Sequence, residues 1–545
     1  MKTLPTLISG DEALARGVLE AGVSLVTGYP GAPVTAVVSR ILQRTSADEV
    51  TVMWNSNEKV ALEMAFGASV GGTRALLCVK SVGLNIALDP LMAINLTGCN
   101  AGLVILVGDD PGGWGSQNEQ DSRALALVSE LPMLEPTSVS HAHQAMRDAF
   151  QLSESLHLPV FVRVTRALTI AKTAAPAESP LSPSLPSAYQ REFMQWVVLP
   201  INVVPNHQRL FQKLEQIQAH FETSPFNRIE GEGTRGVIAA GFAYQKLINT
   251  LGDSIPSQLR ILRLGTFHPL PATTITDFLR SVTSVLIVEE TAPWIENATR
   301  ALAQRTGLPL PIYGRDTGHL PRAGELFTPH IATALNQLAP DLALSKEGEC
   351  TRPMPSRQPL CEKCPYIPTF DALTDIMDAL GGRDAFIVVG DPGCMVRGQL
   401  PPYTLLDVKN SLGSSIGMGA GLALSQQRLG TGKRVIALTG DSSFLHSGFA
   451  GLVDATKSQA PLLVIVLDNG TTALSGGQPH PASQVSVRGQ EQQTVSLAAL
   501  ARESGAARVS VINLDRGDDI RRVIERGLRE AGVTVIIARG RCQRW

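Results

Sequence analysis

The stretch GDSSFLHSGFAGLVDATKSQAPLLVIVLDNGTTALSGGQPHP, residues 440–481, decides the architecture. One apolar run ends at Gly440-Asp441, residues 444–457 have helical character, and a second apolar run ends at Asp468-Asn469. A strand, a crossover helix and a parallel strand form a βαβ unit, which is right-handed in nearly every case. The unit brings Asp441 and Asn469 side by side at the carboxyl edge of the sheet, where open α/β folds bind ligands. A carboxylate, an amide oxygen and a loop carbonyl at Thr471 are oxygen donors suited to Mg²⁺, with octahedral positions left for diphosphate oxygens and water. Gly440, Ser442 and Ser443, at the start of the crossover helix, would cradle the same diphosphate. An ordinary crossover with turn-forming Asp and Asn is the plainer alternative, and a Gly-Asp pair alone favours it.

The same style extends along the chain. DAFIVVGDPG, KRVIALTGDSS and VTVIIARG in the last third read as strands, as do VSLVTGYPG, RALLCVK and GLVILVGDD near the start, with helical stretches such as NEKVALEMAFGASV between them. Strand and helix in alternation predict α/β domains built on parallel sheets. Pro- and Ser-rich stretches at 171–190 and 345–359 mark linkers. The expected domains are therefore 1–172, 201–344 and 361–545, with linkers at 173–200 and 345–360. The middle one, containing RGVIAAGFAYQKLIN, LRILRLG and VTSVLIVEE, has few clustered polar residues and is expected to be mainly structural.

Composition narrows the partners. The 545 residues include 47 basic and 49 acidic side chains, a formal charge of −2. That balance lacks the basic field that nucleic acid or an anionic membrane would need. No apolar run approaches the ~20 residues of a membrane span, and the first residues, MKTLPTLISGDEALARG, have no apolar core of a signal peptide. A cytoplasmic location is the expectation. Seven cysteines without a secretion signal argue for thiol or metal chemistry rather than disulfides. Cys78 and Cys99 lie in apolar or Gly-rich sequence and read as buried small hydrophobes, with Cys350 left over. Cys361, Cys364, Cys394 and Cys542 occur as a CxxC, a cysteine after a strand and a cysteine after the last strand, a set able to hold a four-iron cluster or zinc.

The spacing of Asp441 and Asn469, followed by GTT and SGGQ, resembles the diphosphate–metal motif of thiamine diphosphate enzymes. Together, CEKC at 361–364, GDPGC at 390–394, GDSSFLHSG at 440–448 and LDNGTTALSGGQPHP at 467–481 resemble the catalytic half of the 2-oxoacid:ferredoxin oxidoreductase family. GYPGAP at 28–33, NEKVALE at 57–63, KSVGLNIALDPLM at 80–92 and SQNEQDSR at 116–123 resemble its other half. The resemblance covers essentially the whole chain, in the same domain order, and is nearest to the large-subunit branch acting on indolepyruvate.

This resemblance implies three transketolase-like α/β domains: a pyrimidine-binding type at 1–172, a transketolase C-terminal type at 201–344, and a diphosphate-binding type with a cluster site at 361–545. It implies thiamine diphosphate, Mg²⁺ on Asp441, Asn469 and Thr471, and one [4Fe-4S] cluster on Cys361, Cys364, Cys394 and Cys542. Tyr29, Pro30, Gly31, Asp391, Gly440, Ser442, Ser443 and His446 fall at cofactor-binding positions. Glu58 takes the place of the carboxylate that faces N1′ of the aminopyrimidine; a solvated helix-start Glu beside Lys59 is the structural alternative, and Glu63 is a weaker candidate. His446 and His480 flank the metal motif as near-cofactor or structural residues.

The implied activity is oxidative decarboxylation of a 2-oxoacid, an aryl pyruvate such as indolepyruvate, to its acyl-CoA, with electrons leaving through the cluster. The implied partners are coenzyme A, a smaller oxidoreductase subunit, an external electron-acceptor protein and a second copy of this chain in a dimer. Three departures stand out. Ala32 replaces the family's common Thr in the GYPGTP loop, Pro365-Tyr366 replaces Pro-His after the CxxC, and the ferredoxin-like tail of the large subunit is expected to be missing after RGRCQRW. A non-oxidative decarboxylase, or a non-catalytic electron-transfer or scaffold subunit, are the rival readings. The four-cysteine set argues against the first, and the retention of Asp441, Asn469 and Glu58 against the second.

Overall fold

The computed structural model describes residues 7–175, 189, 191–252, 254–350 and 358–545. Much of both expected linkers, at 176–188, 190 and 351–357, lies outside the described residues. The chain forms two compact units, one from residues up to 53 and 58–354, the other from 54–57 and 355–545.

The first unit has two large sheets. The strands Val160–Thr165, Leu103–Asp109, Ala75–Lys80 and Leu25–Gly28 run parallel in that order at the centre of a seven-stranded sheet, with Met133–Leu134 beside Val160–Thr165. Its outermost strand, Thr266–His268, comes from the middle of the chain and pairs antiparallel with Met133–Leu134. A five-stranded sheet follows, in the order Ile312–Tyr313, Ser284–Val288, Arg235–Ala240, Leu259–Leu264 and Arg228–Glu230, parallel except for the last. Leu7–Ser9 and Lys172–Ala174 close a small antiparallel pair.

The second unit is organised by one six-stranded parallel sheet, ordered Val408–Lys409, Phe386–Gly390, Arg434–Gly440, Leu462–Asp468, Val533–Arg539 and Arg508–Asn513. All seven residues of Leu462–Asp468 are buried, as expected of a parallel strand covered on both faces. Leu463, Ile465 and Leu467 pack with Phe370, Leu373, Ile376 and Ile524 on one side. The alternate residues Leu462, Val464 and Val466 pack with Ile416, Leu452 and Leu497 on the other. This period of two places helices on both faces and leaves the strand ends free to carry polar groups. The α/β class read from the sequence is the class the chain adopts, with three large, mostly parallel sheets.

The crossover helix differs in one detail from the sequence expectation. It starts at Asp441 rather than at 444, is π-wound over Phe444–Gly448, and continues as an α-helix over Phe449–Lys457. Ser442 and Ser443 therefore belong to its first turn, and both are buried.

Candidate functional site

Gly440 pairs with Leu467 in the parallel register of their strands, so the chain leaves the sheet at Asp441 and Asn469 on adjacent rows. Asp441 is 2% exposed, and its Oδ2 accepts the backbone N–H groups of Asn469 at 3.1 Å and Gly470 at 2.7 Å. Its Oδ1 accepts the N–H of Ser442 at 2.8 Å, which ties that donor to the carboxylate. The Oδ1 of Asn469 accepts the N–H of Thr471 at 3.0 Å, and the Thr471 hydroxyl donates to the carbonyl of Gln478 at 3.1 Å. A buried carboxylate and a buried side-chain amide thus stand at adjacent strand ends, with the Thr471 loop held beside them. This hard-oxygen chemistry fits Mg²⁺.

Three neighbours of this corner were not singled out as site residues from sequence, or were left open. His480 Nε2 lies 3.1 Å from Asp441 Oδ2. Burial alone would lower the His480 pKa, but the Asp441 carboxylate outweighs it and the imidazole is raised above its usual value. Asp468 is raised by burial and then by Asp441, while Arg539 Nε donates to it at 2.7 Å. Tyr366 is buried at 3% exposure and accepts the side-chain N–H of Asn469 at 2.7 Å. Its position beside the CxxC in sequence gave no sign of a contact 103 residues away. His446 is also buried, its carbonyl accepting from Asn57 Nδ2 at 3.1 Å, with its Nδ1 3.1 Å from the Ser447 hydroxyl.

Asp391 lies at the end of the neighbouring strand Phe386–Gly390 and is fully buried. It accepts the N–H of Ser415 at 2.8 Å, the Ser415 hydroxyl at 3.0 Å and the Thr439 hydroxyl at 2.7 Å. Burial pushes its pKa up to about 6 against those three hydrogen bonds. The carboxyl fastens the start of helix Ser415–Leu429 to the strand ends.

The four cysteines of the candidate cluster set line a single cavity of about 210 Å³, together with Asn469, Arg397 and Arg544. Cys364 donates its N–H to the carbonyl of Cys361 at 2.9 Å, closing the CxxC turn. Cys394 opens the short helical turn Cys394–Gln399. Cys542 is delivered by the last strand: Asp468 pairs with Arg539, Gly540 N–H donates to the carbonyl of Asp468 at 3.0 Å, and Cys542 N–H donates to that of Asn469 at 3.3 Å. A Cβ on Gly540 would stand 2.7 Å from the Cβ of Pro365, so a glycine here lets the tail approach the CxxC. Burial pushes the Cys394 thiol up to about 12. Among the described residues no three metal-ligating side chains are already drawn together as a formed metal site. The shared cavity is a looser relationship than that. Its four soft sulfur donors, with the Arg397 guanidinium 4.0 Å from Cys361 Sγ to offset thiolate charge, fit an iron–sulfur centre or zinc.

In the first unit, Glu58 opens helix Glu58–Val70 and is 5% exposed. A Cβ on Gly83 would lie 2.3 Å from its Oε1, so the carboxyl is packed over a glycine, and the solvated helix-start alternative does not hold. Glu63 points elsewhere and forms an exposed i,i+4 ion pair with Lys59. Tyr29 and Pro30 are buried directly after strand Leu25–Gly28, and the N–H of Gly31 donates to the Thr35 hydroxyl at 2.7 Å. Cys78 and Cys99 are fully buried, as expected, and Cys350 is exposed.

The expectation of a polar-poor middle stretch needs correction. Arg123, fully buried, donates to Asp121 Oδ2 and to Glu289 Oε2, both at 2.7 Å. Arg163 donates to Asp109 Oδ2 at 2.6 Å, to Glu135, and to the carbonyl of Glu290 at 2.8 Å. Lys246 Nζ bridges Glu290 at 2.8 Å and Glu325 at 3.1 Å. Burial favours neutral Asp121, but Arg123 and Arg163 hold its carboxyl well below the usual range. The acids closing the apolar strand in VLIVEE were the available sequence signal; the partner of Glu289, Arg123, lies 166 residues away in the SQNEQDSR stretch and that of Glu290, Lys246, 44 residues away, both beyond the reach of local pattern.

Residues 391–538 match the thiamine pyrophosphate enzyme C-terminal TPP binding domain, and residues 16–192 the thiamine diphosphate-binding domain of pyruvate flavodoxin/ferredoxin oxidoreductases. The indolepyruvate oxidoreductase subunit IorA of Methanothermobacter thermautotrophicus is 34% identical over 542 residues, covering 98% of this chain and 86% of the relative. Those of Archaeoglobus fulgidus and Pyrococcus abyssi are 33% and 32% identical, covering 98% of this chain and 86% and 85% of theirs. A solved 2-oxoglutarate:ferredoxin oxidoreductase from Magnetococcus marinus has a TM-score of 0.50 at 16% identity, covering 61% of this chain and 65% of its own, a likeness of fold. With identity sustained along nearly the full length, and with the thiamine diphosphate domains falling on both the Glu58 and the Asp441 regions, the chain belongs to the indolepyruvate oxidoreductase IorA family of 2-oxoacid ferredoxin oxidoreductases.

Proposed function

We propose that this chain is the catalytic subunit of an enzyme that oxidatively decarboxylates an aryl pyruvate such as indolepyruvate, forms the acyl-CoA and delivers the electrons through a [4Fe-4S] cluster to a partner protein. The observation that carries the reading is the common cavity of Cys361, Cys364, Cys394, Cys542 and Asn469. It joins a thiol set to the loop of the diphosphate–metal motif, a juxtaposition that an oxidative decarboxylase needs and a non-oxidative one does not.

When bound, thiamine diphosphate supplies the electron sink that lets the 2-oxoacid lose CO₂. Asp441, Asn469 and the carbonyl of Thr471 would hold Mg²⁺, and Gly440, Ser442 and Ser443 the diphosphate. Asp391 fastens the surrounding strand ends, His446 lies in the π-wound part of the crossover helix beside them, and Tyr29, Pro30 and Gly31 would belong to the pyrimidine side. Glu58 would exchange a proton with N1′ of the aminopyrimidine, a role suited to a carboxyl removed from water. The four cysteines would hold the cluster, with Arg397 and Arg544 offsetting its negative charge.

This reading divides the chain at 1–172, 201–344 and 361–545, and includes a dimer of this chain, a smaller oxidoreductase subunit, coenzyme A, an external electron-acceptor protein and a cytoplasmic location. Among the described residues no helix is long and apolar enough to cross a membrane. The test is to purify the protein without oxygen, measure iron and thiamine diphosphate together, and assay acyl-CoA formation from indolepyruvate and other 2-oxoacids. Iron, cofactor and acyl-CoA formed fastest from aryl pyruvates are the expected result. Stoichiometric zinc with no iron would replace the reading with a non-oxidative decarboxylase.

A further inference from the structure

Tyr366 lies two residues after Cys364, at the start of helix Ile367–Ala379, and its phenol runs through the core of the second unit to the metal loop. Its hydroxyl donates to the carbonyl of Leu467 at 3.3 Å and accepts the Asn469 side-chain N–H at 2.7 Å. The Thr471 backbone N–H is a donor only, so the Asn469 atom it meets at 3.0 Å is the amide oxygen. The two contacts therefore determine the amide in one sense, oxygen toward the Thr471 loop and nitrogen toward Tyr366. An Asn side chain can rotate by half a turn and present NH₂ where its oxygen was, and an NH₂ group cannot ligate a cation.

We infer that Tyr366 is a positioning residue for the metal site, holding the Asn469 amide so that its oxygen, not its nitrogen, is offered to the divalent cation. Outer partners of this kind act through the ligand they orient, and their loss typically costs roughly 10- to 100-fold in metal affinity. The same residue is covalently close to Cys364 and hydrogen-bonded to a residue lining the thiol cavity, so the CxxC corner and the metal loop are braced by one side chain. This inference rests on the proposed role of Asn469 as a Mg²⁺ ligand.

The test uses the full chain, purified without oxygen and stripped of cofactor, and titrates Mg²⁺ at fixed thiamine diphosphate, following binding by intrinsic fluorescence or calorimetry. Tyr366→Phe keeps the ring in the core and removes only the hydroxyl. It should raise the half-saturating Mg²⁺ concentration roughly 10- to 100-fold, while iron content stays at the wild-type level. In an Asn469→Ala background, Tyr366→Phe should add nothing further, because the group it orients is gone.

An Mg²⁺ requirement within twofold of wild type in Tyr366→Phe, with Asn469→Ala strongly impaired, overturns the positioning role and leaves the metal site standing. Additive losses in the double variant overturn it too, by assigning Tyr366 to packing alone. Should Asn469→Ala and Asp441→Ala both bind Mg²⁺ and cofactor as wild type does, the metal site itself fails.

Discussion

The backbone N–H of Cys542 donates to the carbonyl of Asn469 at 3.3 Å, so the fourth thiol of the cavity hangs from the residue whose amide oxygen accepts the Thr471 N–H beside Asp441. The contact follows from strand order: Val533–Arg539 lies directly beside Leu462–Asp468, and both chains leave the sheet at the same edge.

Cys542→Ser removes one sulfur while preserving that backbone contact. Iron, expected at about four atoms per chain in the native protein, should fall and electron delivery to an acceptor should be lost, whereas thiamine diphosphate binding stays close to wild type. Metal analysis and cofactor titration of the same preparation give both readings. Full iron content would move the fourth ligand elsewhere.

Asp441 accepts three backbone N–H groups besides facing the proposed metal. Its replacement by alanine should therefore have two effects: loss of Mg²⁺-dependent cofactor retention, and lower stability of the second unit by about 1–3 kcal/mol for each buried donor left without a partner. Cofactor occupancy after desalting, together with a thermal melt, measures them. Undiminished occupancy would remove Asp441 from the cofactor site.

Glu58→Gln keeps the shape of a side chain packed over Gly83. It should bind thiamine diphosphate yet lose turnover by roughly 10²- to 10⁴-fold, since an amide cannot exchange the proton required of it. Glu63→Gln serves as the comparison; its exposed pair with Lys59 is screened by solvent and contributes little, and its turnover should remain near wild type. Steady-state rates of the two variants side by side decide between the carboxylates.

Asp391 gives the second unit a pH dependence of definite sign. Its folded pKa of about 6 lies above the value of about 3.9 expected for an unfolded chain, so the folded state binds the proton more tightly. Its favourable contribution is full below the unfolded value and is lost as pH rises through about 6, on the order of 3 kcal/mol in all. Asp391→Asn has no such proton, and the gap between the melting temperatures of wild type and variant should shift against wild type between pH 5 and pH 7. A gap that is constant with pH would mean the carboxyl is ionised throughout that range.

Local pattern was enough for much of this protein. The apolar runs ending in Gly-Asp and Asp-Asn announced parallel strands and their polar edge, because a strand buried on both faces must be apolar and can carry polar groups only at its ends. The crossover rule placed Asp441 beside Asn469, and spacing singled out the four cysteines, since a βαβ unit and a CxxC are short-range objects. Tertiary structure alone decided the rest. The burial of Glu58 over Gly83, the reach of Tyr366 to Asn469 and the Arg123–Glu289 pair join residues 25, 103 and 166 positions apart. Contacts between elements depend on how helices and strands pack in three dimensions, and no periodicity along the chain encodes which buried carboxyl will meet which guanidinium or which amide a phenol will turn.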